Sequence, residues 1–312
     1  MILTVTLNAA IDLTYRVPHL QPHRTHRVTE VDARPGGKGL NVARVLAALG
    51  HRTTATGFAG GTTGGELRAL LAEAGGVTDA LVETAGATRR TVAVVDEATG
   101  DTTQLNEPGP HLTPAEWETF LGTYGELLAD TEAVALCGSL PPGVPVDAYA
   151  RLVRAARAAG VPVLLDTSGE PLRRGLAARP DLAKPNADEL AGLTGSTEPL
   201  RAARQARRRG AHAVAASLGA EGMLLVTAEG AWQAAPPVAL SGNPTGAGDS
   251  AVAGLLSGLV EGVSWPARLV RAVALSAATV RARSAGEFDR ATYEDLRHRV
   301  TAEALRGPVG AG

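Results

Sequence analysis

Residues 133–166 read AVALCGSLPPGVPVDAYARLVRAARAAGVPVLLD and combine two short apolar runs with one amphipathic pattern. The runs AVALCG (133–138) and VPVLLD (161–166) have the length and composition of buried strands. Between them, DAYARLVRAARAAG (147–160) places apolar residues at the spacing of a helix and ends in glycine. A strand, a helix and a second strand in this order predict a βαβ unit with parallel strands.

The same alternation continues in both directions along the chain. Further apolar runs predict strands and further amphipathic patterns predict helices, the main ones at 2–8, 39–50, 53–60, 113–129, 213–219, 247–260, 266–282 and 291–305. Strands that alternate with helices form mostly parallel sheets. The predicted fold class is therefore α/β, with a mostly parallel central sheet and helices on both faces.

Two regions interrupt the alternation and predict a small second sheet. Residues 11–34 have an extended pattern, and residues 88–107 alternate as a hairpin around Thr99–Asp101. Together they are expected to form a small antiparallel sheet outside the main one. No linker rich in Ser and Gly divides the chain, so we expect one domain over 1–306, followed by a disordered tail at 307–312.

The composition excludes several classes of function. The chain has 312 residues, of which 45% are hydrophobic and 20% charged, with a net charge of −2, and this excludes a disordered or fibrous protein. The absence of a basic excess argues against nucleic acid or an acidic membrane as a partner. No apolar run reaches the ~18 residues of a membrane helix. The single cysteine, Cys137, excludes a disulfide framework, and the N-terminus is typical of a strand and not of a signal peptide, so we expect a cytoplasmic protein.

The strongest local signal for chemistry is PTGAGDSAVAGLLSGL (244–259). Gly246, Ala247 and Gly248 carry little or no side chain and lead directly into a helix. Their backbone N–H groups predict an anion site at the positive end of the helix dipole. Asp249 follows at once, where a carboxylate can act as a base toward a hydroxyl that attacks a phosphoryl group. The alternative is that Asp249 only favours the start of the helix.

A second glycine-rich loop, RPGGKGLN (34–41), also leads into a helix. It holds Lys38, one of only two lysines in the chain, against 28 arginines. Because Gly39 follows the lysine, the loop is not a Walker A motif. Lys38 and Asn41 can donate to hydroxyls or to phosphate; the alternative is a tight turn with a solvated lysine.

The second lysine, Lys184, lies in AKPNADEL (183–190). Asn186 and Glu189 stand three positions apart at the start of a helix. We expect them either to face a metal-bound phosphate, directly or through water, or to form a capping box. CGSLPPGV (137–144) ends a predicted strand, and the ends of strands are where open α/β sheets bind ligands.

With these motifs in order, the chain resembles the PfkB (ribokinase-like) family of sugar kinases, and most closely its phosphosugar branch of 1-phosphofructokinases and tagatose-6-phosphate kinases. Nine segments over nearly the whole chain carry the resemblance: TLNAAID, PGGKGLNVARVLAALG, the TRR strand, NEPGP, GSLPPGV, DTSGEPL, KPNADEL, SLGAEG and PTGAGDS. It implies a ribokinase-like fold with a β-sheet lid that often pairs with its twin in a homodimer. It also implies transfer of a phosphoryl group from ATP, with Mg²⁺, to a primary hydroxyl. The segment SAGEF (284–288) is only a loose match to the glycine-rich segment of the family.

The resemblance implies a role for each matching residue. The catalytic base is matched by Asp249, and its anion hole by Gly246, Ala247 and Gly248. The sugar positions are matched by Asp12, Gly37, Lys38 and Asn41. The positions that bind the phosphate already on the substrate are matched by Arg89, by Ser139 and, from the lid of a neighbouring subunit, by Arg27. The nucleotide and magnesium side is matched by Lys184, Asn186, Glu189, Ser217, Gly219, Ala220, Gly222, Thr245 and Gly248, of which Asn186 and Glu189 are the metal positions.

The expected activity is a phosphosugar kinase that converts fructose 1-phosphate to fructose 1,6-bisphosphate. Tagatose 6-phosphate and fructose 6-phosphate stay open, because a furanose with a phosphate at one end and a hydroxymethyl at the other looks alike from both ends. A non-catalytic sensor of sugar phosphate or nucleotide need not keep Asp249. A kinase of nucleosides or unphosphorylated sugars has no need of Arg89 and Ser139. Because strand side chains alternate, Arg90 must point away from the sugar if Arg89 faces it.

Overall fold

The computed structural model of the protein describes residues 1–238 and 240–305. Its strands are β1 Ile2–Thr6, β2 Ala10–Val17, β3 Glu30–Gly36, β4 Thr53–Gly60, β5 Val77–Asp79, β6 Val82–Thr84, β7 Arg89–Asp96, β8 Thr102–Asn106, β9 Ala133–Cys137, β10 Val163–Asp166, β11 Leu182–Ala183, β12 Ala213–Ser217, β13 Met223–Val226, β14 Ala231–Ala234 and β15 Ala302–Ala304. Its helices are α1 Lys38–Ala48, α2 Gly61–Ala74, α3 Pro114–Leu128, α4 Ala148–Ala158, α5 Gly169–Ala177, α6 Ala187–Thr194, α7 Pro199–Arg208, α8 Ala247–Val260, α9 Trp265–Thr279 and α10 Arg290–Arg299. The tail 307–312, predicted to be disordered, lies outside the described residues.

Eleven strands of the described chain form the main sheet, in the order β15-β14-β13-β12-β11-β10-β9-β1-β4-β5, with β6 paired to β4. Neighbours from β12 to β5 are parallel, and β13, β14 and β15 add an antiparallel edge. The predicted α/β class with a mostly parallel sheet is confirmed. The helix predicted near 291–305 is wrong beyond Arg299, because Val300 leaves the helical backbone and buries its side chain, and β15 follows.

Two layers of helices cover the main sheet, as predicted. Helices α1, α8 and α9 pack on one face, where strand residues such as Ile2 and Leu164 meet their apolar sides. Helices α3 to α7 pack on the other face, against the next residues along the strands, Leu3 and Leu165. Since strand side chains alternate between faces, a sheet covered on both sides requires continuous apolar strands, which is the pattern in the sequence.

Four strands form a separate small sheet, the lid sheet, in the order β3-β2-β7-β8. The predicted hairpin is confirmed as the antiparallel pair β7 and β8. The expectation of a fully antiparallel sheet is wrong, because β2 and β7 are parallel. Strand β2 follows β1 after residues 7–9, and β7 follows β6 after residues 85–88. Because β1 and β6 are both parallel to β4, the chain leaves the main sheet in the same direction at both places. Within the region 11–34, residues 18–29 form no strand.

The parallel strands of the main sheet end at one edge, where the site is built. Thr6, Cys137 and Asp166 occupy neighbouring register positions at the last residues of β1, β9 and β10. Ligands bind at this carboxyl edge in open α/β sheets. No helix in the described part of the chain is both long enough and apolar enough to span a membrane.

Candidate active site

Two adjoining pockets lie where the carboxyl edge of the main sheet meets the lid sheet. The central pocket, of about 510 Å³, is lined by Asp12, Gly37, Lys38, Asn41, Arg89, Thr91, Gln104, Asn106, Asp166, Lys184, Asn186, Glu189, Ser217, Pro244, Thr245, Gly246, Gly248 and Asp249. The outer pocket, of about 440 Å³, is lined by Thr6, Asn8, Gly37, Lys38, Arg89, Asn106, Glu107, Pro108, Gly138, Ser139, Leu140, Thr167 and Ser168. Lys38 and Arg89 border both pockets, so one ligand can extend from one into the other.

Asp249 lies in the first turn of α8 and borders the central pocket. The turn before it is possible because Gly246, the N-cap, has a φ of +83°, in the left-handed region that favours glycine. Asp249 is 7% exposed, and its Oδ2 accepts a hydrogen bond from Nδ2 of Asn41 at 2.9 Å. Burial raises the pKa of Asp249 from 3.8 to about 6, against the lowering effect of Lys38 and the Asn41 hydrogen bond. A carboxylate with this pKa is poised to accept a proton near neutral pH.

Gly246 and Gly248 line the central pocket beside Asp249, but Ala247 does not. The N–H of Ala247 donates to the carbonyl oxygen of Pro244 at 3.1 Å. This N–H is therefore engaged within the described chain, and the contribution of Ala247 to an anion hole stays a prediction. Gly246 and Gly248 remain as the candidates, because the first N–H groups of a helix lack partners within it.

Both lysines of the chain lie against one carboxylate, that of Asp166. Nζ of Lys38 and Nζ of Lys184 each lie 3.4 Å from an oxygen of Asp166. Burial lowers the pKa of Lys38, but the charges of Asp166 and Asp249 more than offset it, so the net shift is upward and the ammonium group stays charged. The central pocket therefore holds charged groups of both signs, the cations Lys38, Lys184 and Arg89 beside four carboxylates.

Asp12 enters the central pocket from β2 of the lid sheet. The hydroxyl of Thr91, on the neighbouring strand β7, donates to Oδ1 of Asp12. Burial raises the pKa of Asp12, while the Thr91 hydrogen bond and the charge of Arg89 act in the opposite direction. The carboxyl of Asp12 packs directly against Gly36 on β3, where a Cβ would lie 2.1 Å from it, so a larger residue at Gly36 would displace Asp12. The oxygens of Asp12 can accept hydrogen bonds from a ligand. The strand pair β2 and β3 thus fixes an acceptor above the main sheet.

The outer pocket has Arg89 and Ser139 on its walls, and their role toward the substrate phosphate stays a prediction. Nε of Arg89 donates to the carbonyl of Asn8 at 3.2 Å, and Nη1 donates to the carbonyl of Glu107 at 3.0 Å. A guanidinium has five N–H groups, so these bonds within the described chain leave others for a ligand. Oγ of Ser139 accepts from Nδ2 of Asn8 at 3.1 Å, and its own hydroxyl hydrogen is a further donor. Arg90 is exposed, as the alternation of strand side chains predicts.

Asn186 and Glu189 form the capping box of α6. Oδ1 of Asn186 accepts the N–H of Glu189, and Oε2 of Glu189 accepts the N–H of Asn186, both at 2.8 Å. Both residues also line the central pocket, so a role toward a metal-bound phosphate stays a prediction. Within 1–238 and 240–305, no three His, Cys, Asp or Glu side chains form a group that could hold a metal by themselves.

Four further predicted residues line neither pocket: Arg27, Gly219, Ala220 and Gly222. Arg27 is exposed in the loop between β2 and β3. Gly219 begins a short 3₁₀ turn that follows β12, and Gly222 packs against the backbone of Ala234, where a Cβ would lie 2.0 Å from the carbonyl oxygen. Gly222 is therefore required by packing.

Several pocket residues were not predicted from the sequence, and Asp166 is the most informative. It is 1% exposed, yet it contacts both lysines. The available signal was the carboxylate that ends the buried run VPVLLD, at a strand terminus. Thr91 and Asn8 were missed because their contacts join segments 79 and 131 positions apart in the chain.

A buried carboxylate beside a glycine-rich helix start, with two lysines and an arginine around the same space, defines a phosphoryl-transfer site on an α/β sheet. The chain belongs to the pfkB family of carbohydrate kinases, whose profile matches residues 3–291. It is 42% identical to a 1-phosphofructokinase of Rhodobacter capsulatus over 287 residues, which cover 88% of this chain and 90% of that protein. A 1-phosphofructokinase of Xanthomonas campestris is 41% identical over 270 residues, covering 83% of this chain and 84% of the relative.

The fold agrees with the same family. Phosphofructokinase-2 from Escherichia coli, in complex with fructose 6-phosphate, superposes with a TM-score of 0.87 and 33% identity, covering 96% of this chain and 98% of that chain. The predicted family and ribokinase-like fold class are confirmed.

Proposed function

We propose that this protein is an ATP-dependent kinase that phosphorylates fructose 1-phosphate to fructose 1,6-bisphosphate. The observation that carries the proposal is the pairing of Asp249, a buried base with a pKa of about 6, with an outer pocket that presents Arg89 and Ser139. The two similar 1-phosphofructokinases support the choice of substrate. The E. coli phosphofructokinase-2 complex makes fructose 6-phosphate the second candidate.

The proton transfer is assigned to Asp249. With a pKa of about 6, its carboxylate is largely deprotonated at neutral pH. It takes the proton of the primary hydroxyl as the hydroxyl oxygen bonds to the γ-phosphorus of ATP, and the bond from that phosphorus to the bridging oxygen of ADP breaks. The N–H groups at Gly246 and Gly248 stabilise the charge on the transferring group. Lys38 and Lys184 supply further positive charge near the phosphates.

The phosphate that the substrate already carries is assigned to the outer pocket. Arg89 can meet a phosphate with parallel, charge-assisted hydrogen bonds. Its two bonds to backbone carbonyls orient the guanidinium before the substrate binds. The hydroxyl of Ser139 adds a neutral donor. Asp12 and Asn41 are assigned to the sugar hydroxyls between this phosphate and Asp249.

The nucleotide and Mg²⁺ are assigned to the part of the central pocket that is lined by Asn186 and Glu189, away from the outer pocket. The side-chain oxygens of Asn186 and Glu189 fit Mg²⁺, which proteins often bind through one or two carboxylates, water and the phosphates of the substrate. When bound, Mg²⁺ neutralises charge on the phosphates of ATP. Ser217, which forms a β-bridge with Asn186, and Thr245 also line the central pocket.

We further propose a homodimer that forms through the lid sheet. The register places Tyr15, Val31 and Val94 on the face of the lid sheet opposite to Asp12. Val31 is 59% exposed, and Leu105, on the edge strand β8 of the same sheet, is 60% exposed. Contact with the same face of a second copy would remove this apolar surface from water. In such a dimer, Arg27 from the exposed loop of one protomer is the candidate to reach the pocket of its partner.

The test is an ADP-release assay with purified protein, ATP and Mg²⁺, over five acceptors: fructose 1-phosphate, fructose 6-phosphate, tagatose 6-phosphate, fructose and ribose. We expect the highest kcat/KM with fructose 1-phosphate. A higher value with fructose 6-phosphate or tagatose 6-phosphate would replace the proposed substrate. Binding of a sugar phosphate without ADP release from any acceptor would favour a sensor and overturn the kinase proposal.

A further inference from the structure

Arg44 is a buried arginine that connects helix α1 to segment 284–288. It stands one helical turn after Asn41 and is 8% exposed. Its Nη1 donates to the carbonyl oxygen of Ala285 at 2.9 Å, and its Nη2 donates to Oε1 of Glu287 at 2.9 Å. A charge buried to this degree is tolerated only when it is paired and hydrogen-bonded. The position of segment 284–288 therefore depends on the Arg44 guanidinium.

Segment 284–288 packs directly on the turn that starts α8. A Cβ on Gly246 would lie 2.8 Å from Cα of Ala285 and 3.3 Å from the nitrogen of Gly286, so the two backbones are in contact. Gly286 itself has a φ of +76°, and a Cβ there would lie 2.7 Å from Nη1 of Arg44. The segment is thus held between Arg44 on one side and Gly246 on the other.

Helix α1 therefore supports the start of α8 in two ways. Asn41 donates directly to the Asp249 carboxylate, and Arg44 acts through segment 284–288. At its other end the segment reaches the lid sheet, because Oγ of Ser284 donates to Oδ2 of Asp32 on β3 at 3.3 Å. The segment that Arg44 holds is in contact with both the lid sheet and the phosphoryl-transfer turn.

We propose that Arg44 is a positioning residue for phosphoryl transfer, which holds segment 284–288 against Gly246 so that the N–H groups of the turn keep a fixed geometry. The inference rests on the proposed function and adds a residue that borders neither pocket. Donors aimed in advance at developing charge stabilise a transition state far better than donors that must reorient. Loss of the Arg44 contacts should therefore lower kcat, while the KM for the sugar phosphate stays nearly constant.

The variants Arg44→Lys and Glu287→Gln test this role without removing a large volume from the core. Arg44→Lys keeps the charge but offers one nitrogen on a shorter side chain, so it cannot reproduce the two bonds that Nη1 and Nη2 make. We expect kcat to fall roughly 10- to 150-fold, the range that one charge-assisted hydrogen bond supports. Glu287→Gln keeps the hydrogen bond from Arg44 to Ala285, so its kcat should fall less. Arg151→Lys is the matched control, since Arg151 is exposed on α4, away from the segment, and donates to Oδ2 of Asp147 at 3.2 Å.

A second readout does not require the reaction. Hydrogen exchange in Arg44→Lys should be faster at the amides of 246–249 and of 284–288 than in the unaltered protein, with the rest of the sheet unchanged. An unchanged kcat in Arg44→Lys, or a rise in KM alone, would overturn the inference. An equal loss of kcat in Arg151→Lys, or unchanged exchange at both segments, would overturn it as well. Absence of turnover in the unaltered protein would instead overturn the proposed function, and the exchange result would still decide whether Arg44 holds the turn.

Discussion

Replacement of Asp249 by asparagine should greatly lower turnover and at the same time stabilise the fold. The pKa of Asp249 rises from 3.8 to about 6 on folding, so the folded state disfavours the carboxylate relative to the unfolded chain. A shift of this size corresponds to about 3 kcal/mol at pH values above the folded pKa. Asparagine carries no charge, has nearly the same volume and can still accept the Asn41 hydrogen bond. Its unfolding free energy should therefore exceed that of the unaltered protein by up to about 3 kcal/mol at pH 8.

The sign of the pH dependence is the sharpest part of this prediction. Because folding raises the pKa of Asp249, the cost in unfolding free energy of burying its carboxylate is absent below pH 3.8, the unfolded pKa. This cost grows between about pH 4 and pH 6 and is complete above about pH 6, the folded pKa. About half of the stability gain of Asp249→Asn should therefore be present at pH 5 and all of it at pH 8.

Urea denaturation of both proteins at pH 5, 6.5 and 8 measures this difference, and an ADP-release assay measures turnover. We expect kcat to fall by ~10²–10⁴, the usual contribution of a positioned base. A stability difference that does not change with pH would refute the assigned pKa. Near-normal turnover of the variant would refute the assignment of the base and leave Asp249 as a residue that only favours the helix start.

Four other substitutions test the remaining parts of the site. Asn41→Leu removes a hydrogen bond that lowers the pKa of Asp249. The acid limb of the pH profile of kcat/KM should therefore move up by about one to two pH units. An unmoved limb would contradict the assigned contact. Arg89→Ala should lower kcat/KM for fructose 1-phosphate by roughly 10- to 200-fold and barely change kcat/KM for unphosphorylated fructose. Arg90→Ala, its matched control on the exposed face, should lower kcat/KM only mildly. Equal losses for both sugars would show that Arg89 acts through lid structure. Asp166→Asn leaves the buried Lys184 ammonium without its charged partner. It should lower the unfolding free energy, measured in urea, by about 3 kcal/mol or more. An unchanged urea midpoint would mean that the pair adds nothing to stability. Leu105→Lys should turn the proposed dimer into a monomer, as measured by light scattering at micromolar concentration. If the unaltered protein is already a monomer with full activity, both the lid interface and the role of Arg27 in the partner's site are refuted.

Local features were available from the chain itself, because they depend on residues close together in sequence. The buried runs of β9 and β10, with the helical pattern between them, gave the α/β class. The turn at Gly246 and the carboxylate of Asp249 belong to one short segment, so the segment alone indicated both an anion site and a base. The alternation of strand side chains correctly separated Arg89 from Arg90. The capping box of Asn186 and Glu189 was also within reach, as one of two alternatives.

Contacts between distant segments were decided only by the tertiary structure. The parallel pairing of β2 and β7 follows from where β1 and β6 end in the main sheet, which no local pattern records. Asp166 is only the last residue of an apolar strand until the sheet order brings β10 beside β11 and places Lys184 against it. Lys38 reaches the same carboxylate because α1 packs on the sheet with its first residue at the carboxyl edge. Likewise, the raised pKa of Asp249 exists only because folding removes that carboxylate from water and sets Asn41, 208 positions away, beside it. Burial and charge at a site are sums over neighbours in space, and the chain acquires those neighbours only when it folds.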